Sequence, residues 1–194
     1  ERMKRGLCAG LAALLILLCA CGSGEEDRLE RANGMITAVL TLPCPAYNEA
    51  WDALNTALAQ DPGLSPEELS SMTAQLEEDL RAAVTGLVGA YVEPEYLENI
   101  LKGDPPAHLL NLAQRDRSFT LRPLRVTLDQ SQGDKQTYVF DASVELAVEG
   151  RPAEELVLSG QLQFSDEGLI RWLEVYSGPL TAALNGDAAP PETP

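Results

Sequence analysis

The chain has 194 residues, of which 45% are hydrophobic, 5% aromatic and 23% charged, and its 30 acidic and 14 basic side chains give a formal net charge of -16. This excess of negative charge excludes nucleic-acid binding through a basic, phosphate-tracking surface. The ordinary apolar fraction excludes disorder along the whole chain. The length fits one domain with a sizeable core.

The N-terminal segment has the features of a secretory signal peptide. Lys4 and Arg5 form a short positive start, and residues 6–18 are a nearly uninterrupted apolar run. As a helix this run rises only about 20 Å, whereas the hydrocarbon core of a bilayer is about 30 Å thick. We therefore interpret residues 1–20 as a signal peptide and not as a transmembrane helix.

The end of this segment, Leu18-Cys19-Ala20-Cys21, resembles the lipobox of bacterial lipoproteins. The resemblance implies cleavage after Ala20, a diacylglycerol group on the sulfur of Cys21, and a lipid-anchored protein on the extracytoplasmic face of the cell membrane. An ordinary signal peptide that contains cysteines is the alternative interpretation. Residues 21–27 are rich in Gly, Ser and acidic side chains, which predicts a flexible acidic tether.

Cleavage at this position changes the charge and the cysteine content of the chain. It removes Glu1 together with Arg2, Lys4 and Arg5, a net charge of +2, so the charge changes from -16 to -18. A body this negative is repelled by anionic lipids, which leaves the acyl chains as the attachment. Cys44 becomes the single free thiol, so the hydrophobic core, and not a disulfide, must stabilise the domain.

Helical patterns fill the first part of the remaining chain. The apolar spacing of residues 29–42 fits a helix or a strand, and we favour a helix that ends before Pro43. A second helix is predicted over residues 47–60. Ser65 and Glu68 form a capping box, and Pro66 occupies the first position of a long amphipathic helix that continues to about Tyr91. A short helical turn to residue 102 and a helix over residues 106–115 follow.

Strand patterns begin near Ser118. Apolar and polar residues alternate along residues 138–148 and 155–164, and a one-residue phase slip at Pro123 predicts a β-bulge or an edge strand. Short glycine-containing turns predict antiparallel hairpins. We therefore predict one α+β domain over residues 28–184, followed by a disordered tail over residues 185–194. Helices to about residue 117 would pack on one face of a curved four-stranded antiparallel meander over residues 118–177.

This element order, and the final hairpin over residues 163–172 with an aromatic at Trp172, resembles the nuclear-transport-factor-two-like, or cystatin-like cone, superfamily. The resemblance implies a pocket between the sheet and the helices. Its aromatic lining residues would be Tyr138, Phe140, Phe164, Trp172 and Tyr176. Ordinary core packing of these five side chains is the favoured alternative.

Few residues carry recognisable chemistry. Cys44 and His108 are a candidate nucleophile and base, although a packing role is favoured for the histidine. Metal-binding motifs, phosphate-binding glycine loops and dinucleotide fingerprints do not occur in the sequence, so no metal or cofactor is predicted. The abundant carboxylates fit a solvated acidic face.

These patterns favour a membrane-anchored binding domain for a small ligand or a protein partner, and not an enzyme. Two functions from other classes stay open. One is an enzyme that uses the cone pocket with an acidic general base, which a strongly raised carboxyl pKa would favour. The other is a structural accessory of an envelope or conjugation complex.

Overall fold

A computed structural model describes residues 24–60, 63 and 65–186. The predicted signal peptide, Cys21 and the tail beyond residue 186 lie outside this part of the chain. In the described part, the elements in chain order are α1 (24–40), α2 (Pro45–Gln60), α3 (Pro66–Val88), α4 (Pro94–Leu101), α5 (Ala107–Arg115), β1 (Phe119–Gln130), β2 (Thr137–Val148), β3 (Glu154–Phe164), β4 (Ile170–Val175) and α6 (Gly178–Asn185). The prediction of an α+β fold with helices preceding an antiparallel meander is confirmed.

The four strands form one open antiparallel sheet in the order β1-β2-β3-β4. The register of β1 against β2 shifts between Pro123 and Arg125, and β1 is an edge strand, so both features predicted from the phase slip are present. A second shift lies in the last hairpin, where Gln163 pairs with Trp172 and Phe164 pairs with Ile170. The extra residue on β4 changes which of its side chains face the helices.

One face of the sheet forms the core with the helices. The alternating positions of β2 from Tyr138 to Leu146 are buried, as are those of β3 from Leu158 to Phe164. Gly160 lies directly opposite Phe140, and a Cβ atom at Gly160 would come within 2.4 Å of the Phe140 ring. The Glu174 carbonyl oxygen would be closer still, at 2.2 Å, so the Phe140 ring and the backbone of β4 together leave no room for a side chain at this position.

The segment 29–42, whose apolar spacing fits a helix or a strand, is helical up to residue 40. Residues 24–40 are helical, and Ala32, Met35, Ile36, Val39 and Leu40 are completely buried on its core face. The predicted tether is wrong for residues 24–27, which belong to this helix.

The long helix α3 begins as predicted, with reciprocal hydrogen bonds between Ser65 and Glu68. It ends at Val88 and not near Tyr91, because Gly89 takes the C-cap position. Its buried residues are Leu76, Val84 and Val88, and none precedes Leu76. The helix packs against α2 and, less extensively, against α4, and it has no extensive contact with the sheet among the described residues, so α2 and α3 form an outer layer.

The helix α6 was not predicted. It spans Gly178–Asn185, of which residues 178–184 were assigned to the domain without a predicted element and residue 185 to the disordered tail. Leu180 and Ala183 are buried, and the Arg151 guanidinium donates hydrogen bonds to the carbonyl oxygens of Ala183 and Leu184 at 3.0 and 3.2 Å. Gly186 closes the helix in the left-handed conformation, with φ of 76°.

The outer edge of β4 is covered by the chain that joins α3 to α4. The Ile170 amide donates to the Tyr91 carbonyl, and the Glu93 amide donates to the Ile170 carbonyl, both at 2.9 Å. Further along the same edge, the Leu173 amide donates to the hydroxyl of the buried Tyr96 at 2.9 Å. These bonds satisfy backbone groups that an edge strand would otherwise present to another strand.

Candidate functional site

A polar cavity of about 550 Å³ lies between the start of α1 and two hairpin turns, the β1–β2 turn and the β3–β4 turn. Its lining residues are Gly24, Glu25, Asp27, Arg28, Arg31, Gln130, Lys135, Tyr138, Asp166, Glu167 and Gly168. Its size falls in the range of pockets that hold small molecules, which are more often apolar than this one.

Three basic side chains line this cavity, although the chain as a whole is strongly acidic. Arg28 and Arg31 lie three residues apart on α1, so both project from the same side of the helix. The Arg31 guanidinium donates to the Gly168 carbonyl at 2.8 Å, and the Arg28 guanidinium lies 5.8 Å from the ring centroid of Phe164. These contacts hold the half-buried guanidinium groups in place while leaving donors available to a ligand.

The third basic residue, Lys135, lies in the β1–β2 turn, which is held in place by hydrogen bonds to Asp134. Asp134 accepts hydrogen bonds from the Thr137 hydroxyl at 2.6 Å and from the Gln136 amide at 2.9 Å. The Thr137 bond, followed by the Gln136 bond, lowers the pKa of the Asp134 carboxyl, so this group stays ionised. The Gln136 side chain also donates to Asp166 at 2.5 Å, which links this turn to the β3–β4 turn.

Neutral hydrogen-bonding groups complete the lining. The Gln130 side-chain amide donates to the Lys135 carbonyl at 3.0 Å and to the Tyr138 hydroxyl at 3.4 Å. Ser165 begins the β3–β4 turn next to the lining residues without being one of them, and its hydroxyl is buried without a hydrogen-bond partner among the described residues. With the carboxylates of α1 and of the β3–β4 turn, the cavity offers positive, negative and neutral groups to one small molecule.

The five aromatic residues predicted to line a pocket do not come together. Tyr138, Phe140 and Phe164 are buried on the core face, where the Tyr138 and Phe164 rings meet edge to face at 5.5 Å. The prediction is wrong for Trp172, because the register shift in the last hairpin pairs it with Gln163 on the opposite face. It is also wrong for Tyr176, which is 46% exposed just beyond β4. Of the five, Tyr138 alone also lines the polar cavity.

Cys44 and His108, the candidate nucleophile and base, lie on different elements of the fold. Cys44 is buried in the turn between α1 and α2, and His108 is half-buried on α5 near Glu174. Burial lowers the pKa of His108, and the Glu174 carboxylate opposes this shift in part. Within the described residues, no group of three or more His, Cys, Asp or Glu side chains is placed to hold a metal ion.

Arg28, Arg31 and Lys135 were missed by the sequence analysis. The available signal was the three-residue spacing of the arginines inside a segment already favoured as a helix, but nothing local connects them to a turn a hundred residues later.

Comparisons with protein-family models, with curated proteins and with solved structures found no match to this chain. The resemblances to lipoproteins and to the cone superfamily therefore stay predictions. In the part of the chain that the structure describes, no helix combines the length and the apolar composition needed to cross a bilayer.

Proposed function

We propose that this chain is a lipoprotein of the extracytoplasmic membrane face whose α+β domain binds a small zwitterionic ligand in the polar cavity. The lipobox-like residues Leu18-Cys19-Ala20-Cys21 support the anchor. The cavity supports the binding role, because Arg28, Arg31 and Lys135 share it with carboxylates of α1 and the β3–β4 turn. In this proposal the domain works by binding and not by catalysis.

The two parts of the proposal are connected by the covalent chain. Three residue steps separate Cys21 from Gly24, which is the first lining residue of the cavity. A fully extended chain spans at most about 3.6 Å per residue, so an acylated Cys21 would hold Gly24 within about 11 Å of the anchor. The cavity would then lie close to the lipid headgroups and not at the end of a long tether.

The charge distribution defines the ligand class. A carboxylate or phosphate group would be attracted to the guanidinium groups of Arg28 and Arg31 and to the Lys135 ammonium group. An amine on the same molecule would be attracted to Asp166, Glu167 or Asp27. A molecule with one charge sign would leave the opposite set of side chains without a ligand partner and would be repelled by it.

Ligand binding is tested with free amino acids and dipeptides, compared with their N-acetylated and C-amidated forms. We expect a thermal shift and calorimetric binding for zwitterions, with at least tenfold weaker binding of either blocked form. Replacing Lys135 by Gln should weaken binding, whereas replacing Lys102, an exposed base outside the cavity, should not. Equal binding of free and blocked compounds, or no binding by any of them, would contradict the ligand part of the proposal.

The anchor is tested independently by intact mass. We expect the membrane-bound protein to begin at Cys21 with a diacylglycerol mass increment. Cys21→Ala should lose both the increment and the lipoprotein-specific cut after Ala20, because alanine has no sulfur to carry the diacylglycerol. The two acyl chains that it would lose are what gives stable anchoring, since one chain alone gives only marginal membrane binding. An unmodified first residue, or release of the wild-type protein by a salt wash, would contradict the lipoprotein assignment while leaving ligand binding testable.

A further inference from the structure

The outer helix pair α2–α3 has an open groove between its two helices. Two adjoining cavities, of about 150 and 440 Å³, share Ala50, Ala53 and Asp79. The α2 wall consists mainly of alanines with helical spacing, together with Leu54 and Glu49, and the α3 wall includes Met72 and Leu76. Small side chains on one wall let another helix approach toward the short end of the usual 8–10 Å axis separation.

Among the described residues, no element covers the outer half of this helix pair. From Pro66 to Gln75, α3 has no buried residue. Leu58 of α2 and Leu69 of α3, which lie outside the lining of the groove, are 38% and 44% exposed. An antiparallel pair of helices buries only one seam, so a third helix in the groove would cover apolar surface that these two cannot cover for each other.

The charge around the groove has a single sign. No Lys or Arg occurs between Arg31 and Arg81, and α2 and α3 together carry seven carboxylates. Their one base, Arg81, is ion-paired with Glu98 of α4, and one of the seven carboxylates, Asp52, is ion-paired with Arg117. Glu49 and Asp79 line the groove itself. The rim therefore favours a positively charged occupant and disfavours an acidic one.

We propose that this groove docks a basic amphipathic helix of a partner protein. The alanine wall from Ala46 to Ala57 is about 16 Å long, at 1.5 Å per residue, which matches about three turns of an incoming helix. Aliphatic residues on one face of that helix would fill the groove, and Lys or Arg on its flanks would meet the acidic rim. This inference rests on neither the lipid anchor nor the polar cavity.

The test uses a labelled synthetic helix of about 18 residues, with Leu and Ala on one face and Lys on the other. Its controls are a scrambled peptide of the same composition and a version with Glu in place of Lys. We expect fluorescence anisotropy to show binding of the amphipathic basic peptide at least tenfold tighter than either control, weakening as salt rises from about 50 to about 300 mM. Equal binding of the scrambled peptide would overturn the proposal.

Matched variants locate the contact. Ala53→Arg places a bulky cation in the groove, and Asn55→Arg makes the same charge change on the far side of α2, where the side chain is exposed. We expect the first to weaken binding at least tenfold and the second to change it less than threefold, with unchanged circular dichroism for both. Equal effects would overturn the proposal. So would a wild-type dimer in sedimentation that Ala53→Arg dissolves, because the occupant would then be a second copy of the chain.

Discussion

Replacing Tyr96 by Phe tests how the edge of the sheet is closed. The Tyr96 side chain is 3% exposed, and its hydroxyl lies between α4, the segment at Pro105 and the edge strand β4. It donates to the Pro105 carbonyl at 2.5 Å and accepts from the Leu173 amide at 2.9 Å. Burial raises the pKa of this hydroxyl, so it keeps its proton and stays a donor.

The expected loss of unfolding free energy follows from the two backbone groups that Tyr96→Phe leaves without a hydrogen-bond partner. Phe fills the same space, so no large cavity forms, but the Leu173 amide and the Pro105 carbonyl both lose their partner. Each buried polar group left unsatisfied costs about 1–3 kcal/mol. We expect a total loss of about 2–6 kcal/mol. For a domain of this size that corresponds to a fall in Tm of about 4–24 °C.

The assay combines urea unfolding with amide hydrogen exchange. Tyr96→Phe should lower the unfolding midpoint and speed exchange of the Leu173 amide more than that of core amides in β2. Tyr176→Phe is the matched control and should change stability by less than about 0.5 kcal/mol, because that ring is exposed. A loss below about 0.5 kcal/mol for Tyr96→Phe, with unchanged Leu173 exchange, would refute the assigned role of the hydroxyl.

Three further predictions concern the core and its pH dependence. Phe140→Ala should cost about 3–5 kcal/mol in chemical denaturation, whereas Glu145→Ala on the opposite face should cost less than about 1 kcal/mol; similar values would show that the faces are misassigned. Gly160→Ala should destabilise by at least about 1–3 kcal/mol, while Gly86→Ala, in open space within α3, should stabilise by about 0.5–1 kcal/mol; thermal scans that rank the two the other way would contradict this. Because the pKa of His108 is lowered in the fold, the unfolded chain binds the proton more readily, so wild type should lose stability relative to His108→Gln as pH falls below about 6.5. Urea midpoints that stay parallel between about pH 7.5 and 5.5 would show that this histidine is not desolvated.

The sheet could be predicted because one of its faces is covered and the other is open. That asymmetry gives β2 and β3 a clean two-residue alternation, and the slip at Pro123 marked the bulge. The capping box at Ser65 is equally local, since its two hydrogen bonds join residues three apart. For segment 29–42 the local pattern fits both a helix and a strand, and only tertiary packing distinguishes them. Ile36 and Leu40 are completely buried together with neighbours three and four residues away, which is the spacing of a helix.

The candidate site could not be predicted, for two physical reasons. Arg28 and Lys135 lie 107 positions apart, so their meeting depends on how the whole sheet packs on α1. The second reason is the extra residue in β4, which reverses the face of Trp172 without a proline or glycine in that strand to mark it. A register shift of one residue moves every later side chain to the other face, so the predicted aromatic pocket lost Trp172, while Tyr176 lies exposed beyond the end of the strand.

The contact between α1 and the last hairpin also determines when the fold can be completed. The Arg31 bond to Gly168 joins residues 137 positions apart, between the first helix and the turn before the final strand. During synthesis from the N-terminus, α1 emerges early, but the Arg31 bond to the last hairpin can form only after Gly168 has followed. Such non-local contacts slow folding more than they reduce stability. The contact between the first helix and the last hairpin is therefore expected to form late in folding, and a chain truncated before Gly168 lacks it.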